Sequence, residues 1–462
     1  VNSRDGFDDS DFTYSLASPQ KSMSGFPISL DSLSLGLDGM NPTLTIQPRL
    51  TLAGESSGFS AAAKITINSE IYEKSNGRKS FRLTGVDLDA IHLDVTTSAL
   101  SLSGYLEFYD EASANGIRGA LSAKLPMGIE ASLKAEFGTY QSSETARFNT
   151  AQYFSYWYVE GMVVFGSTGL NLFPSLNLYG LGGGVYHHMT QSGTPRVSQV
   201  MSGGTSAESN APTTSGVNYT PSFDSMLGLK FMALFGDPNE GKAYNFDVTL
   251  EAEFSSSAGL THMGFTGQVR VITEGISSTE NAPIMGFVDI NYHKPPGGDK
   301  TLTGSLGMTV DLYVLRGTGT LTAVPAGYTG PTNNAFVMAN FYVGPDKWYY
   351  HMGSPDNRAG LMIALPGSDD PLLEINSYMM IGHDIPATLP QPSEKFKEIF
   401  LGTNSEKFQA NDGGKLQEIR DGAVAREDPG YSNAKGFAFG ASFSTSMGAN
   451  PIPFYFQIDM AM

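Results

Sequence analysis

Three residue patterns in this chain could carry chemistry. Gly54-Glu55-Ser56-Ser57-Gly58 spells the G-x-S-x-G spacing of a serine-hydrolase elbow. That elbow works only on a sharp turn from strand into helix, where the serine is exposed and backbone N–H groups form the oxyanion hole. Here alternating residues precede the motif, and Ala61, Ala63, Ile65 and Ile67 alternate again after it, so a polar hairpin turn is the better reading. Gly180, Gly182, Gly183 and Gly184 imitate a phosphate cradle. They lack the G-x-G-x-x-G spacing and the following helix, and Val185-Tyr186-His187-His188-Met189 continues strand-like. Glycines in a strand mark a bend or the close approach of another backbone.

The third pattern is metal-ligand chemistry. The seven histidines are His92, His187, His188, His262, His293, His351 and His383, and none has H-x-x-x-H or H-E-x-x-H spacing. His187 and His188, adjacent on a strand, are expected on opposite faces, where they do not chelate one ion. Asp87, Asp89 and Asp94 line the polar side of one segment, and Asp5, Asp8, Asp9 and Asp11 crowd the start of the chain. Hard carboxylate oxygens at this density make Asp87, Asp89 and Asp94 calcium candidates in an extracellular protein, the one cofactor the sequence puts forward. The chain has no EF-hand loop and no RTX nonapeptide, and aspartates on an exposed strand also keep a sheet edge from pairing. With no cysteine, disulfides, thiolate metal sites and cysteine nucleophiles are excluded. No pair of carboxylates is singled out by the sequence, so no catalytic set is expected.

The elements that must position these residues are strands. Leu44, Ile46, Pro48, Leu50 and Leu52 share one parity; so do Leu100, Leu102, Leu106 and Phe108, and so do Phe246, Val248, Leu250, Ala252 and Phe254. Ile129, Ala131, Leu133, Ala135 and Phe137 alternate with Glu130, Ser132, Lys134 and Glu136, which reads as a strand with one solvated face. About 18 to 22 such segments, many longer than the usual five or six residues, recur along the chain. Tyr153 to Phe165 is apolar on both parities and is expected to be a strand covered on both sides. Val86 and Leu88 keep one parity, while Ile91, Leu93 and Val95 take the other, which predicts a β-bulge near Ala90. The fold class expected is all-β: large antiparallel sheets of long alternating strands, as a sandwich, extended sheet or barrel, with one or two short helices near 393–423.

The expected organisation is a β region at 1–189, a mobile Ser/Thr/Gly-rich loop at 190–222 and a second β region at 223–384. A polar insertion carrying the helices follows at 385–435, and final strands at 436–462 pack on the β core. A net charge of −18 repels nucleic-acid phosphate and anionic lipid from the chain as a whole. No window nears the 18 or so apolar residues of a membrane helix. Val1 and the alternating Phe454, Phe456, Ile458 and Met460 at the other end make the sequence look like a fragment of something longer.

The segments Phe154-Ser155-Tyr156-Trp157-Tyr158-Val159, Tyr179 to Met189, Lys347-Trp348-Tyr349-Tyr350-His351 through Gly360, and Ser377 to His383 resemble stretches of very long surface proteins of Bacteroidota. Asp31-Ser32-Leu33 and Asp224-Ser225-Met226 also match the short pattern on which that phylum places O-glycans. The resemblance implies an exported β-rich piece of a larger polypeptide with no known active site. The function expected first is a non-enzymatic structural or binding segment of a large cell-surface protein, adhesin-like or part of a delivery apparatus. Its partners would be other segments of that polypeptide or neighbouring surface proteins. A membrane β-barrel or amphipathic β conduit in the outer membrane is the alternative, and only then would the chain contact a membrane. Strand lengths and aromatic clusters such as Lys347 to His351 favour that alternative. A carbohydrate-active hydrolase is the third reading.

Overall fold

The computed structural model describes residues 28–38, 41–51, 58–75, 77–98, 100–142, 152–192, 214–276, 282–325, 328–365, 371–386, 431–432, 435–445 and 454–462. Every described ladder is antiparallel, and 22 of the described strands hydrogen-bond into one large sheet, so the fold is all-β as the alternation predicts. Among the described residues the one helical element is a 3-10 turn, Pro126–Gly128. The expected helices near 393–423 and the Gly54–Gly58 motif lie largely or wholly outside the described residues. No described helix is long and apolar enough to cross a membrane, which says nothing of crossing by strands.

The strands begin with β1 (Ile28–Asp38), β2 (Asn41–Thr51), β3 (Gly58–Glu73), β4 (Lys79–Thr96), β5 (Ser101–Asp110), β6 (Ala114–Lys124), β7 (Glu130–Ser142) and β8 (Gln152–Val164). After these come β9 (Leu170–Phe173), β10 (Leu176–His187), β11 (Met189–Ser192), β12 (Asn218–Pro221) and β13 (Leu227–Gly236). Contacts divide the chain into two compact units. The first holds β1 to β8, the Gly180–His187 part of β10 and the β11–β12 hairpin. It is a meander, each strand pairing with the next from β1 to β8, and β8 then pairs with β10 from Val164↔Gly180 to Trp157↔His187. The glycines of 180–184 are ladder residues there, as expected.

The second unit continues with β14 (Tyr244–Ser255), β15 (Gly259–Val271), β16 (Ile284–His293), β17 (Thr301–Val310), β18 (Leu315–Gly317), β19 (Ala335–Val343), β20 (Trp348–Met352) and β21 (Ala359–Ala364). It ends with β22 (Pro371–Gly382), β23 (Ile385–Pro386), β24 (Tyr431–Ser432), β25 (Gly436–Thr445) and β26 (Phe454–Ala461). Its ladder runs β14–β15–β16–β17–β19–β20–β22–β25–β26. One edge of β22 is shared, its C-terminal end with β20 and its N-terminal part with β21.

Both units depart from expectation in which face they bury. On β7 the apolar Leu133 and Phe137 are each 44% exposed, while Lys134 on the opposite face is 8% exposed. The face expected to be solvated is the more enclosed one. β8 is central, flanked by β7 and β10, yet Tyr153 is exposed and the enclosed parity carries Glu160. Its coverage on both sides is therefore corrected: the strand is paired at both edges and open on its outer face. The stretch expected as a mobile loop is also altered where it is described. Thr190 to Ser192 lie in β11, and Thr214, Ser215 and Val217 are buried.

β4 shows how long strands keep one apolar face. Its pairing with β3 slips between Lys64 and Ile65, leaving Asp89 as the extra residue, and again between Asn68 and Ser69, opposite Thr84. Each bulge reverses parity. The sequence reverses parity at the same places, so Phe81, Leu83, Val86, Leu88 and Ile91 form one exposed row. The bulge expected near Ala90 is therefore present one residue earlier, and a second joins it.

Candidate functional site

The enclosed polar faces are the places where this chain concentrates chemistry. In the first unit β5, β6, β7 and β8 contribute alternate residues to one face: Tyr105, Glu107 and Tyr109; Arg118 and Ser122; Lys134 and Glu136; Tyr156, Tyr158 and Glu160. Gly116 and Gly138 are register partners in the two middle strands. A Cβ on Gly138 would lie 2.5 Å from the Tyr109 hydroxyl and 2.8 Å from the Tyr156 ring. The glycine pair thus clears the path along which tyrosines from β5 and β8 meet. Their hydroxyls stand 2.5 Å apart, and both lie within hydrogen-bonding distance of Glu136 Oε1, Tyr109 at 3.0 Å and Tyr156 at 3.1 Å, so two phenolic protons are shared over three contacts. Arg118 donates to both oxygens of Glu107, at 3.0 and 3.3 Å, and lies over the Tyr109 ring.

Glu160 is fully buried. Its carboxylate accepts from the Thr214 hydroxyl, the Ser215 backbone N–H and the Tyr219 hydroxyl. Tyr219 stacks on Tyr158 with ring centroids 4.6 Å apart, and the β11–β12 hairpin carries this strap. Lys134 is the register neighbour of Glu160. A carboxylate out of water needs such donors, because burying it without them costs several kcal/mol, on the order estimated for an ion in a protein interior.

In the second unit two of the enclosed acids, Asp247 and Asp459, are held by arginines. Arg270 is 4% exposed; it donates to Asp247 at 3.3 Å, to Asn245 at 3.4 Å and to Gln268 at 3.1 Å. Farther along the ladder Arg358 donates to Asp459 at 2.7 Å and lies over the Tyr378 ring. Gly440 makes that pairing fit, since a Cβ there would meet the Asp459 carboxylate and the Tyr378 ring at 2.1 Å. Against these charges, Leu250, Met263, Leu306 and Ile375 are exposed on the other face, and Phe456 is 54% exposed. Outside the strands, burial pushes the Tyr328 phenol up, and Lys347 is held above the ordinary lysine range by its hydrogen bond to Asp384 and the carboxylate's charge.

The calcium candidates sit on β4 with other partners. Asp87 accepts from the Asn68 amide, and Asp89 accepts from the Thr66 hydroxyl at 2.6 Å and pairs with Lys64 at 3.1 Å. Asp94 faces Ser60 and Ser103 in register. Among the described residues no three His, Cys, Asp or Glu side chains stand close enough to hold a metal ion. The expectation for His187 and His188 is corrected: φ of +50° at His188 breaks the strand, and the two rings stack at 4.2 Å. No sequence motif marks the polar networks, because each joins residues of different strands, with Tyr109 and Tyr156 47 positions apart. Their available signal was charge at strand parity opposite bulky apolar residues.

No family model and no curated protein matches the sequence. A comparison of folds finds a likeness to the outer membrane transporter YddB from Escherichia coli, with a TM-score of 0.19 and 6% identity, covering 91% of this chain and 68% of that chain. A score this low does not establish a shared fold.

Proposed function

We propose that this chain forms part of the wall of a membrane β-barrel or β conduit of the outer-membrane type, its apolar face against lipid and its polar face lining a wet interior. The observation that carries the reading is the inversion: Lys134, Asp247 and Arg270 are enclosed on strands whose opposite face exposes Leu133, Phe137, Leu250 and Met263. Water-soluble sheets bury the opposite set. Lipid removes the penalty on exposed hydrocarbon, and spanning strands need every backbone group paired, as a continuous antiparallel ladder provides. Strands of 10 to 13 residues, as in β5 to β8, suit a tilted crossing, which takes about 9–11 residues. The polar face offers passage or binding rather than a reaction.

A second reading keeps the chain at the cell surface and covers the apolar face with protein, from the same larger polypeptide or a neighbour. It is favoured at one place: the β4 ladder with β5 begins only at Ala90, so the exposed row from Phe81 to Leu88 runs past it. Detergent separates the two. The barrel reading expects a protein that is extracted only with detergent, migrates faster before boiling than after, and raises the conductance of planar bilayers. Full solubility without detergent, with no heat shift, overturns it.

A further inference from the structure

On the enclosed face of the first unit one segment lies over the sheet instead of within it. β11 and β12 pair from Met189↔Pro221 to Ser192↔Asn218 as a short hairpin, and Thr214 to Val217 lead into β12. One side of this strap grips β8 and β10. Thr214, Ser215 and Val217 are buried, and the Thr214 hydroxyl, the Ser215 N–H and the Tyr219 hydroxyl all donate to the Glu160 carboxylate of β8. The Tyr219 ring also meets two tyrosines of the sheet, Tyr158 of β8 at 4.6 Å and Tyr186 of β10 at 5.0 Å between centroids. Tyr186 has its own fixed seat, since a Cβ on Gly228 would stand 2.0 Å from its ring. Met189 joins Phe154, Tyr156 and Tyr186 in one buried cluster.

These contacts decide which face the strap occupies. Alternate residues of β8 share a face, so Glu160 lies on the side of Tyr156 and Tyr158, away from the exposed Tyr153. Hydrogen bonds to an ionised carboxylate are stronger than those between neutral groups, and three of them from one segment fix it on that side. The other side of the strap has different chemistry. Thr190 opposes Thr220 and Ser192 opposes Asn218 in register, and all four are exposed, as is Gly216. The Thr190 and Ser192 hydroxyls lie 3.5 and 3.4 Å from the carbonyls of Thr220 and Asn218 across the hairpin. The strap thus covers an acid and presents hydroxyl and amide groups without charge.

We infer that the strap is a fixed constriction inside the conduit, one that limits passage there to small polar solutes and sorts them by size more than by sign of charge. The inference rests on the barrel reading, because a segment anchored to the enclosed face stands in the path only if that face lines a passage. Pore diameter and the groups lining the narrow part govern what crosses. Here the strap takes up cross-section, and the charge beneath it is already occupied by its donors.

The test reconstitutes the full chain in planar bilayers and in liposomes. Conductance and the entry of neutral polyethylene glycols of graded mass are the readouts, and the gel heat shift reports folding. Glu160→Ala removes the anchor and is expected to raise conductance about twofold or more and to admit larger polymers. Tyr219→Leu removes one hydrogen bond and both ring contacts while Glu160 keeps Thr214 and Ser215, so the same change is expected with smaller size. Leu121→Ala on the outer face is expected to change neither readout. Glu160→Ala decides if it keeps the heat shift, and Tyr219→Leu decides if it does not. Wild-type conductance and polymer cut-off in the deciding variant overturn the inference. A heat-shifting wild type that conducts only once the strap is loosened supports it. A wild type with neither heat shift nor conductance sinks the barrel reading and the constriction with it; a conducting, heat-shifting protein indifferent to the strap sinks the constriction alone.

Discussion

Glu136 and Glu160 in the first unit are held by different means from Asp247 and Asp459 in the second. In the first, Glu136 and Glu160 accept from tyrosine and threonine hydroxyls and a backbone N–H, with Lys134 beside Glu160. In the second, Asp247 and Asp459 each face a buried arginine. Hydroxyls hold a carboxylate by geometry, and losing one leaves the rest in place. A buried guanidinium and carboxylate depend on each other, since removing one strands a charge. The outer faces of the units are alike, exposing Leu133 and Phe137 in one and Leu250 and Met263 in the other. Difference inside and likeness outside is the pattern expected when one medium covers the outer faces while each interior solves its own desolvation.

Removing Arg270 tests the contrast between the units most severely. Arg270→Met is expected to cost about 3–5 kcal/mol in urea unfolding of the detergent-folded protein, and Arg270→Met with Asp247→Leu to recover most of it. If the double variant is no better than the single, the acid is not held by the arginine and the contrast between the units fails. Next come the outer faces. Leu133→Arg and Val248→Arg are each expected to cost about 2–4 kcal/mol in a bilayer near its midplane, and less near its surfaces. Near-zero cost in both would put these faces in water.

Glu160→Gln probes the hydroxyl-held side. The amide keeps one acceptor for the Thr214–Tyr219 strap and loses the charge, so the expected cost is about 1–3 kcal/mol. The loss should be accompanied by faster proteolysis at the strap. A cost matching that of Arg270→Met would erase the distinction between the units. Smaller again is Tyr109→Phe, which removes one of two phenols on Glu136 and is expected to cost about 1 kcal/mol. Adding Tyr156→Phe should cost more than twice the single change, because the last hydroxyl donor to Glu136 then goes.

Much of the fold was legible, for a physical reason: period-two alternation has no other common cause, and the parity slip after Leu88 marks a bulge because only an extra residue restores the face. What alternation lacks is a sign. It separates the two faces of β7 but does not say which one meets the enclosed side, since Leu133 beside Lys134 reads the same in water and in lipid. Thr214 and Ser215 were illegible for another reason. Short polar side chains look like linker until a buried acid such as Glu160, on a distant strand, requires their donors. The Arg270–Asp247 pair sits across one hairpin and could have been found by folding β14 onto β15 in register; charge opposite apolar bulk was its signal.

The calcium candidates on β4 stand in the most exposed of these settings. Asp89 is the extra residue of a bulge, pairs with Lys64 and accepts from Thr66, and all three are part-exposed. An ion pair in that setting contributes about 0–1 kcal/mol and is screened by salt. Asp89→Asn keeps the acceptor for Thr66 and is expected to lower stability by less than about 1 kcal/mol in dilute buffer, with the difference vanishing in molar salt. Calcium supplies the opposing outcome. A divalent ion bound by Asp87, Asp89 and Asp94 would stabilise the wild type in proportion to the logarithm of its concentration and leave the Asp89→Asn protein behind. Unfolding midpoints with and without millimolar calcium, at constant ionic strength, therefore decide between a salt-screened bulge and a cation site. The hydrogen bonds to Thr66 and Asn68 favour the bulge, because they already occupy one oxygen of Asp89 and one of Asp87.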